Sequence, residues 1–318
     1  MYDNHSRRTF LKTLTALGLS GVVPSSVYSQ GVVDAVIKRA IPGTNEMLPI
    51  VGFGSSAPVR QIIQTGPGLL TQLIETMIKH SASVIDTAPR QMDVDQAFGK
   101  VLSNPDFNNK LFVTSKIGLN RFMTVREVDK QGGIGQYQLT RRLFNRHPAD
   151  LVQVESMTDI DIHWPTLRDL KDKGDARYIG ITSSDTSDHE KMEAFMKSEH
   201  PDFIQVNYSL VEPEAKNRVL PLARDMGIAV LINSPFNGGE FFRMVRGHEL
   251  PAWAADFNAT TWAQFNLKYI LGETVINSVL TETSKIKNME DNLRGGMGVI
   301  PDAQTRKKMK AHFVSLKN

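Results

Sequence analysis

Arg177-Tyr178-Ile179-Gly180-Ile181-Thr182 is an almost continuous apolar run, and Phe203-Ile204-Gln205-Val206-Asn207 repeats the pattern after one helical stretch at residues 189–197. Neither run alternates strictly between apolar and polar residues, as a strand wet on one face would. Near-continuous apolar runs are what parallel strands covered on both faces require. The same unit recurs on either side. Ile50-Val51-Gly52-Phe53-Gly54, Ser83-Val84-Ile85-Asp86, Leu111-Phe112-Val113-Thr114-Ser115-Lys116 and Leu151-Val152-Gln153-Val154-Glu155 precede it; Ile228-Ala229-Val230-Leu231-Ile232 and Val275-Ile276-Asn277-Ser278-Val279-Leu280 follow. Helices are predicted at 69–80, 94–102, 135–145, 165–173, 213–226 and 262–271. Eight strands with helices between them predict a single-domain (β/α)8 TIM barrel. An open doubly wound sheet would want a glycine-rich fingerprint after its first strand. Gly52-Phe53-Gly54-Ser55-Ser56 lacks the third glycine and runs into Pro58, expected to be a poor helix start.

The 318 residues, 41% hydrophobic and 22% charged, suit one large globular domain. A formal net charge of +3 is too mild to imply a nucleic-acid partner, and the basic run Arg306-Lys307-Lys308-Met309-Lys310 is expected to be a solvated helix face. Cysteine is absent, which excludes disulfides, thiolate metal sites and cysteine nucleophiles. The eight histidines show no ligand spacing, so no metal is expected, and Asp159-Ile160-Asp161 is expected to be a loop or a helix cap.

Ser6-Arg7-Arg8-Thr9-Phe10-Leu11-Lys12, then a modest apolar stretch and small residues, resembles a twin-arginine export signal. The expectation is a cleaved signal over residues 1–30 and a barrel over 31–318. The translocase would be a partner during export, and the mature protein would be periplasmic or otherwise exported. The apolar stretch is too short for a stable membrane span.

Several blocks resemble one family in the right order. They are Ile50-Val51-Gly52-Phe53-Gly54, Ile85-Asp86-Thr87-Ala88, Phe112-Val113-Thr114-Ser115-Lys116, residues 174–182, Gln205-Val206-Asn207-Tyr208-Ser209 and residues 284–292. The chain resembles the aldo-keto reductases, and in residues 150–154 and 251–265 their exported members. The resemblance implies a barrel that uses NADP or NAD to reduce a carbonyl on a small-molecule substrate. It also implies that Asp86 and Lys116 are members of a catalytic set otherwise completed by a tyrosine and a histidine. Here the tyrosine position is Gln91, beside Arg90, and the histidine position is Glu155. A primary amide has no transferable proton near neutral pH, so ordinary tyrosine-dependent reduction is disfavoured. His163-Trp164-Pro165 resembles the family's histidine motif but falls eight residues late, and His163 is expected to be a surface or cap residue.

For the cofactor, the resemblance implies Gly52, Thr182, Ser183, Gln205, Asn233, Ser234, Thr283, Ser284, Lys285 and Asn292. Asn233 stands where a ring-stacking aromatic is usual. Glu282 puts a carboxylate near the expected phosphate, and Asn288 replaces a usual arginine, so NADH is less penalised than NADPH. Three functions stay open on these residues. One is an oxidoreductase with a rebuilt acid, Glu155 or Lys116. Another is a cofactor-free acid–base enzyme working through Asp86, Lys116 and Glu155. The third is a non-catalytic binding protein, a pseudoenzyme.

Overall fold

A computed structural model of the chain describes residues 35–56, 58–88, 92–118 and 130–316. The export-signal segment, Arg90 and Gln91 lie outside the described residues. A short antiparallel hairpin, β1 (Lys38–Ala40) and β2 (Met47–Pro49), precedes the main sheet. The first four strands of that sheet are β3 (Val51–Gly54), β4 (Val84–Asp86), β5 (Phe112–Ile117) and β6 (Ala149–Val154). The second four are β7 (Ala176–Thr182), β8 (Phe203–Asn207), β9 (Ala229–Asn233) and β10 (Ile276–Glu282). They pair in parallel in chain order, and β10 closes on β3, which makes the eight-stranded barrel the apolar runs predict.

Helices cover the outer face. The first six are α1 (Val59–Thr65), α2 (Gly68–Lys79), α3 (Met92–Leu102), α4 (Pro105–Asn108), α5 (Lys130–Phe144) and α6 (Ile160–Asp172). The remaining six are α7 (His189–Glu199), α8 (Val219–Met226), α9 (Glu240–Met244), α10 (Trp262–Leu271), α11 (Ile286–Arg294) and α12 (Ala303–Ser315). Pro58 does start a helix: it caps α1, where its missing N–H is one that a first turn leaves unpaired anyway. The helix expected from residue 165 begins at Ile160, and the stretch 213–226 resolves into a short 3-10 turn followed by α8.

Alternate residues of each strand point inward, and their sizes fill the barrel. Val84, Phe112, Leu151, Phe203, Leu231 and Leu280 form the interior cluster, with Ile41 and Leu48 of the hairpin region closing its floor. The Phe112, Tyr178 and Phe203 rings meet at 5.4–6.2 Å. Truncating one of them, as in Phe203→Ala, would cost about 3–5 kcal/mol. Gly180 is needed because a Cβ there would lie 2.4 Å from the Phe203 carbonyl oxygen. A bulge between Ile276 and Ser278 breaks the β9–β10 ladder, and the Asn277 side chain repairs it: its oxygen accepts from Val230 N at 3.0 Å and its nitrogen donates to Ala40 O at 2.8 Å.

Candidate active site

The inward positions at the C-terminal ends of the strands are polar, in contrast to the apolar layers beneath. Asp86 ends β4 and is the register partner of Thr114 on β5. Lys116 lies two residues beyond Thr114 on the same strand and hence on the same face. The three therefore meet. Asp86 Oδ1 accepts from both Thr114 Oγ1 and Lys116 Nζ. Lys116 Nζ also donates to Thr87 O at 3.0 Å. The outer carboxylate oxygen, Oδ2, accepts from Gln205 Nε2 at 3.3 Å. Gln205 is itself the register partner of Thr182 on β7. The Lys116 ammonium is only 4% exposed, so its charge is compensated by Asp86 rather than by water.

Around this pair opens a cavity of about 240 Å³ at the barrel mouth. Its lining includes Asp86, Lys116, Glu155, Thr182, Gln205 and Asn233, each from a different strand or from the residue directly after it. Glu282 of β10 and Gly54 of β3, register partners, form another part of the wall. Glu155 follows β6 directly, and its Oε1 accepts from Ser156 Oγ at 3.2 Å.

The residues proposed from sequence fall into two groups. Asp86, Lys116, Glu155, Thr182, Gln205, Asn233 and Ser234 share the cavity. The other described ones do not line it. Gly52 lies deeper, with Val84 and Ser278 packed over its Cα. The Ser183 hydroxyl is turned to the β7–α7 loop, donating to Asp188 at 2.6 Å and accepting from Asp185 N at 3.1 Å. Thr283 accepts from Lys285 N at 3.1 Å in the turn before α11, where Ser284 is half-buried and Lys285 exposed. Asn292 is buried on α11. Gln91 lies outside the described residues. Among the cavity residues not proposed from sequence are Ser184, next to the expected Ser183, and Ser156, for which no motif exists.

His163 is not a surface residue. It is fully buried in the first turns of α6, wedged between Gly118 and Gly133, and neither ring nitrogen has a hydrogen-bond partner among the described residues. A Cβ on Gly133 would stand 2.8 Å from His163 Nδ1. Asp159 occupies the N-cap position of α6 but makes no side-chain cap bond. Among the described residues, no group of three His, Asp or Glu side chains is arranged to hold a metal ion, and no helix is long and apolar enough to cross a membrane.

The donor set fits a nicotinamide. Among the described residues, Gln205 Oε1 and Asn233 Oδ1 are buried acceptors without a partner, and both residues line the cavity. The orientation of each amide is fixed by its nitrogen, which donates to Asp86 in one case and to Ser183 O, at 3.0 Å, in the other. Two free carbonyl-type acceptors suit a carboxamide N–H2, which carries two donors.

A closed eight-stranded parallel barrel with an Asp–Lys pair at its C-terminal mouth is a (β/α)8 barrel that carries its polar site at the face where such barrels hold their chemistry. The chain belongs to the aldo/keto reductase family, whose sequence profile matches residues 51–309. That family is one of NAD(P)H-dependent oxidoreductases. Among solved structures, the holo form of aldo-keto reductase AKR11C1 from Bacillus halodurans superposes with a TM-score of 0.70 at 18% identity, covering 89% of this chain and 97% of that one. The apo form gives 0.65 at 17% identity, over 89% and 96%. At such identities the likeness speaks for the fold. The NADH-specific methylglyoxal reductase of Escherichia coli (strain K12) is 37% identical over 73 residues. That match spans 23% of this chain and 22% of the relative's length.

Proposed function

We propose that this protein is a nicotinamide-dependent oxidoreductase acting on a small carbonyl or sugar-like substrate, with Glu155 as the proton donor in place of the tyrosine that Gln91 replaces. The observation that carries the proposal is the sharing of one cavity by the Asp86–Lys116 pair, Glu155 and the amide oxygens of Gln205 and Asn233, which have no partner among the described residues. The methylglyoxal reductase likeness supports a small carbonyl substrate and NADH.

A bound reduced nicotinamide would supply the hydride for a carbonyl carbon. Gln205 and Asn233 would orient it by accepting from its carboxamide. Lys116 spends two of its three N–H groups on Asp86 and Thr87 O, which leaves one to polarise the substrate oxygen. Asp86, held by Thr114 and Gln205 as well, keeps that ammonium in place. Glu155 in its acid form gives the oxygen its proton, which an amide at position 91 cannot do. Twin-arginine export to the periplasm belongs to the same proposal and is supported by Arg7-Arg8 and the apolar stretch after them.

Fluorescence titration of the purified protein with NADH and NADPH tests the cofactor, and Glu155→Gln tests the acid. Binding of either cofactor at micromolar concentration is expected, and the variant should lose about 100-fold or more in turnover with cofactor affinity unchanged. Failure of both cofactors to bind would leave a cofactor-free acid–base enzyme built on Asp86, Lys116 and Glu155, or a binding protein.

A further inference from the structure

We infer that Ser156 is a proton-relay residue between Glu155 and the substrate oxygen; this rests on the carbonyl reduction proposed above. In a strand that simply continued, residue 156 would point away from the face that residue 155 occupies. Both nevertheless line the cavity. The cause is the backbone. Ser156 (φ 50°, ψ 29°) and Met157 (φ 49°) are left-handed, and Asp159 (φ 49°) follows two residues later. Left-handed backbone is uncommon for residues with a Cβ and persists only where surroundings enforce it. Here they do. The Met157 side chain is fully buried, and its carbonyl accepts from Lys191 Nζ of α7 at 3.0 Å. Thr158 N donates to Glu155 O at 3.1 Å. The turn so fixed folds the serine hydroxyl back onto its neighbour, 3.2 Å from Glu155 Oε1.

A hydroxyl is both donor and acceptor, so it can pass a proton on without holding a charge. The Glu155 O–H bond breaks as its proton bonds to Ser156 Oγ. The Ser156 O–H bond breaks as that proton bonds to the substrate oxygen, which holds the former C=O π pair because the carbon would have taken a hydride from the reduced nicotinamide. The products are an alcohol, the oxidised cofactor, an intact serine and the Glu155 carboxylate, which solvent reprotonates. With the carboxylate in place, Ser156 O–H donates to it.

Ser156→Gly separates the hydroxyl from the turn, because glycine adopts φ near 50° without cost. The expected result is turnover lower by about 100-fold, as for loss of a proton-transfer group, with NADH affinity and melting temperature at or above wild type. The infrared carboxyl band of Glu155, identified by its loss in Glu155→Gln, should shift in Ser156→Gly. The proton inventory in mixed H2O and D2O should be curved in wild type and linear in the variant. Unchanged turnover, or an unshifted carboxyl band whether or not turnover is measurable, overturns the relay. A Glu155→Gln variant that is inactive beside a fully active Ser156→Gly overturns the relay alone; a fully active Glu155→Gln overturns the proposed acid and the relay with it.

Discussion

Glu282 at the end of β10 leans across Gly54 at the end of β3, so closely that a Cβ on residue 54 would stand 2.9 Å from Glu282 Cγ and 3.2 Å from its Oε1. The carboxylate ends the eighth barrel strand, just before the turn into α11, a region where barrels commonly hold phosphate. A 2′-phosphate there would add like charge beside it. NADH is therefore expected to bind more tightly than NADPH by about tenfold, ~1.4 kcal/mol, and Glu282→Lys should narrow or reverse the preference. Side-by-side fluorescence titrations decide this. Equal affinities in wild type would remove Glu282 from cofactor selection.

The Asp86–Lys116 pair separates stability from catalysis. Among the described residues, Lys116→Met leaves the Asp86 carboxylate with Thr114 and Gln205 as hydrogen-bond partners, at a side-chain exposure of 16%. An uncompensated carboxylate in that setting should lower unfolding stability by about 1–3 kcal/mol, less than for a fully enclosed pair because water reaches it. Adding Asp86→Asn removes the stranded charge. The double variant should recover most of the lost stability in urea denaturation yet stay inactive. A double variant as unstable as Lys116→Met would mean that packing of the lysine stem, not charge, was lost.

How much of this was legible in the sequence differs from element to element. The barrel strands were, because burial on both faces leaves continuous apolar runs that no loop interrupts. Asp86 and Lys116 fall toward the C-terminal ends of their strands and Gln205 within its strand, as the apolar runs around them indicate, and position along a barrel strand sets which end of the barrel a side chain reaches. The β1–β2 hairpin was not visible, its strands being three residues each. His163 was misplaced because the glycines that enclose it, Gly118 and Gly133, come from other elements. Arg306 had a usable signal that the lysines around it hid: Arg306, Met309 and Phe313 recur at helical spacing, and all three are buried. The left-handed turn at Ser156 has no sequence signature, since neither glycine nor asparagine marks it.

Arg306, expected in solvent, instead donates to the buried Glu273, which also pairs with Lys216 at 3.0 Å. Burial by itself would raise the Glu273 carboxyl. The hydrogen bonds from Arg306 and Lys216 outweigh it and hold the group below its ordinary value. A carboxylate with a lowered folded pKa contributes stability that is fully present above its unfolded pKa, near 4.3, and is lost as pH falls through the folded value. Arg306→Met leaves the carboxylate with Lys216 and, at 3.9 Å, Arg224, so near neutral pH it should cost less than the ~3–5 kcal/mol of a fully stranded buried charge. Melting temperatures followed from pH 7 to pH 3 should then show the variant closing part of its deficit on acidification, as protonation removes the buried charge. A deficit constant with pH would assign the loss to packing against Tyr269, whose ring Arg306 covers at 5.2 Å.

Lys268 sets the behaviour on the alkaline side. It is fully buried on α10, and its Nζ donates to the carbonyls of Met297 at 2.5 Å and Val299 at 3.0 Å, with no carboxylate among its partners. Burial lowers its pKa to about 8. Below that pH both folded and unfolded chains hold the proton, and the fold carries the full cost of a buried ammonium. Between about pH 8 and the unfolded value near 10.4, the unfolded chain keeps a proton that the folded chain has released, so stability rises with pH. Tyr208 and Tyr269 act in the opposite sense above about pH 10, because burial raises both phenols and the unfolded chain ionises first. Comparing wild type with Lys268→Met by urea denaturation cancels the tyrosine contribution. Relative to the variant, wild type should gain about 2–3 kcal/mol between pH 7 and pH 10. A difference that stays flat over this range would show that the two carbonyls hold Lys268 charged throughout.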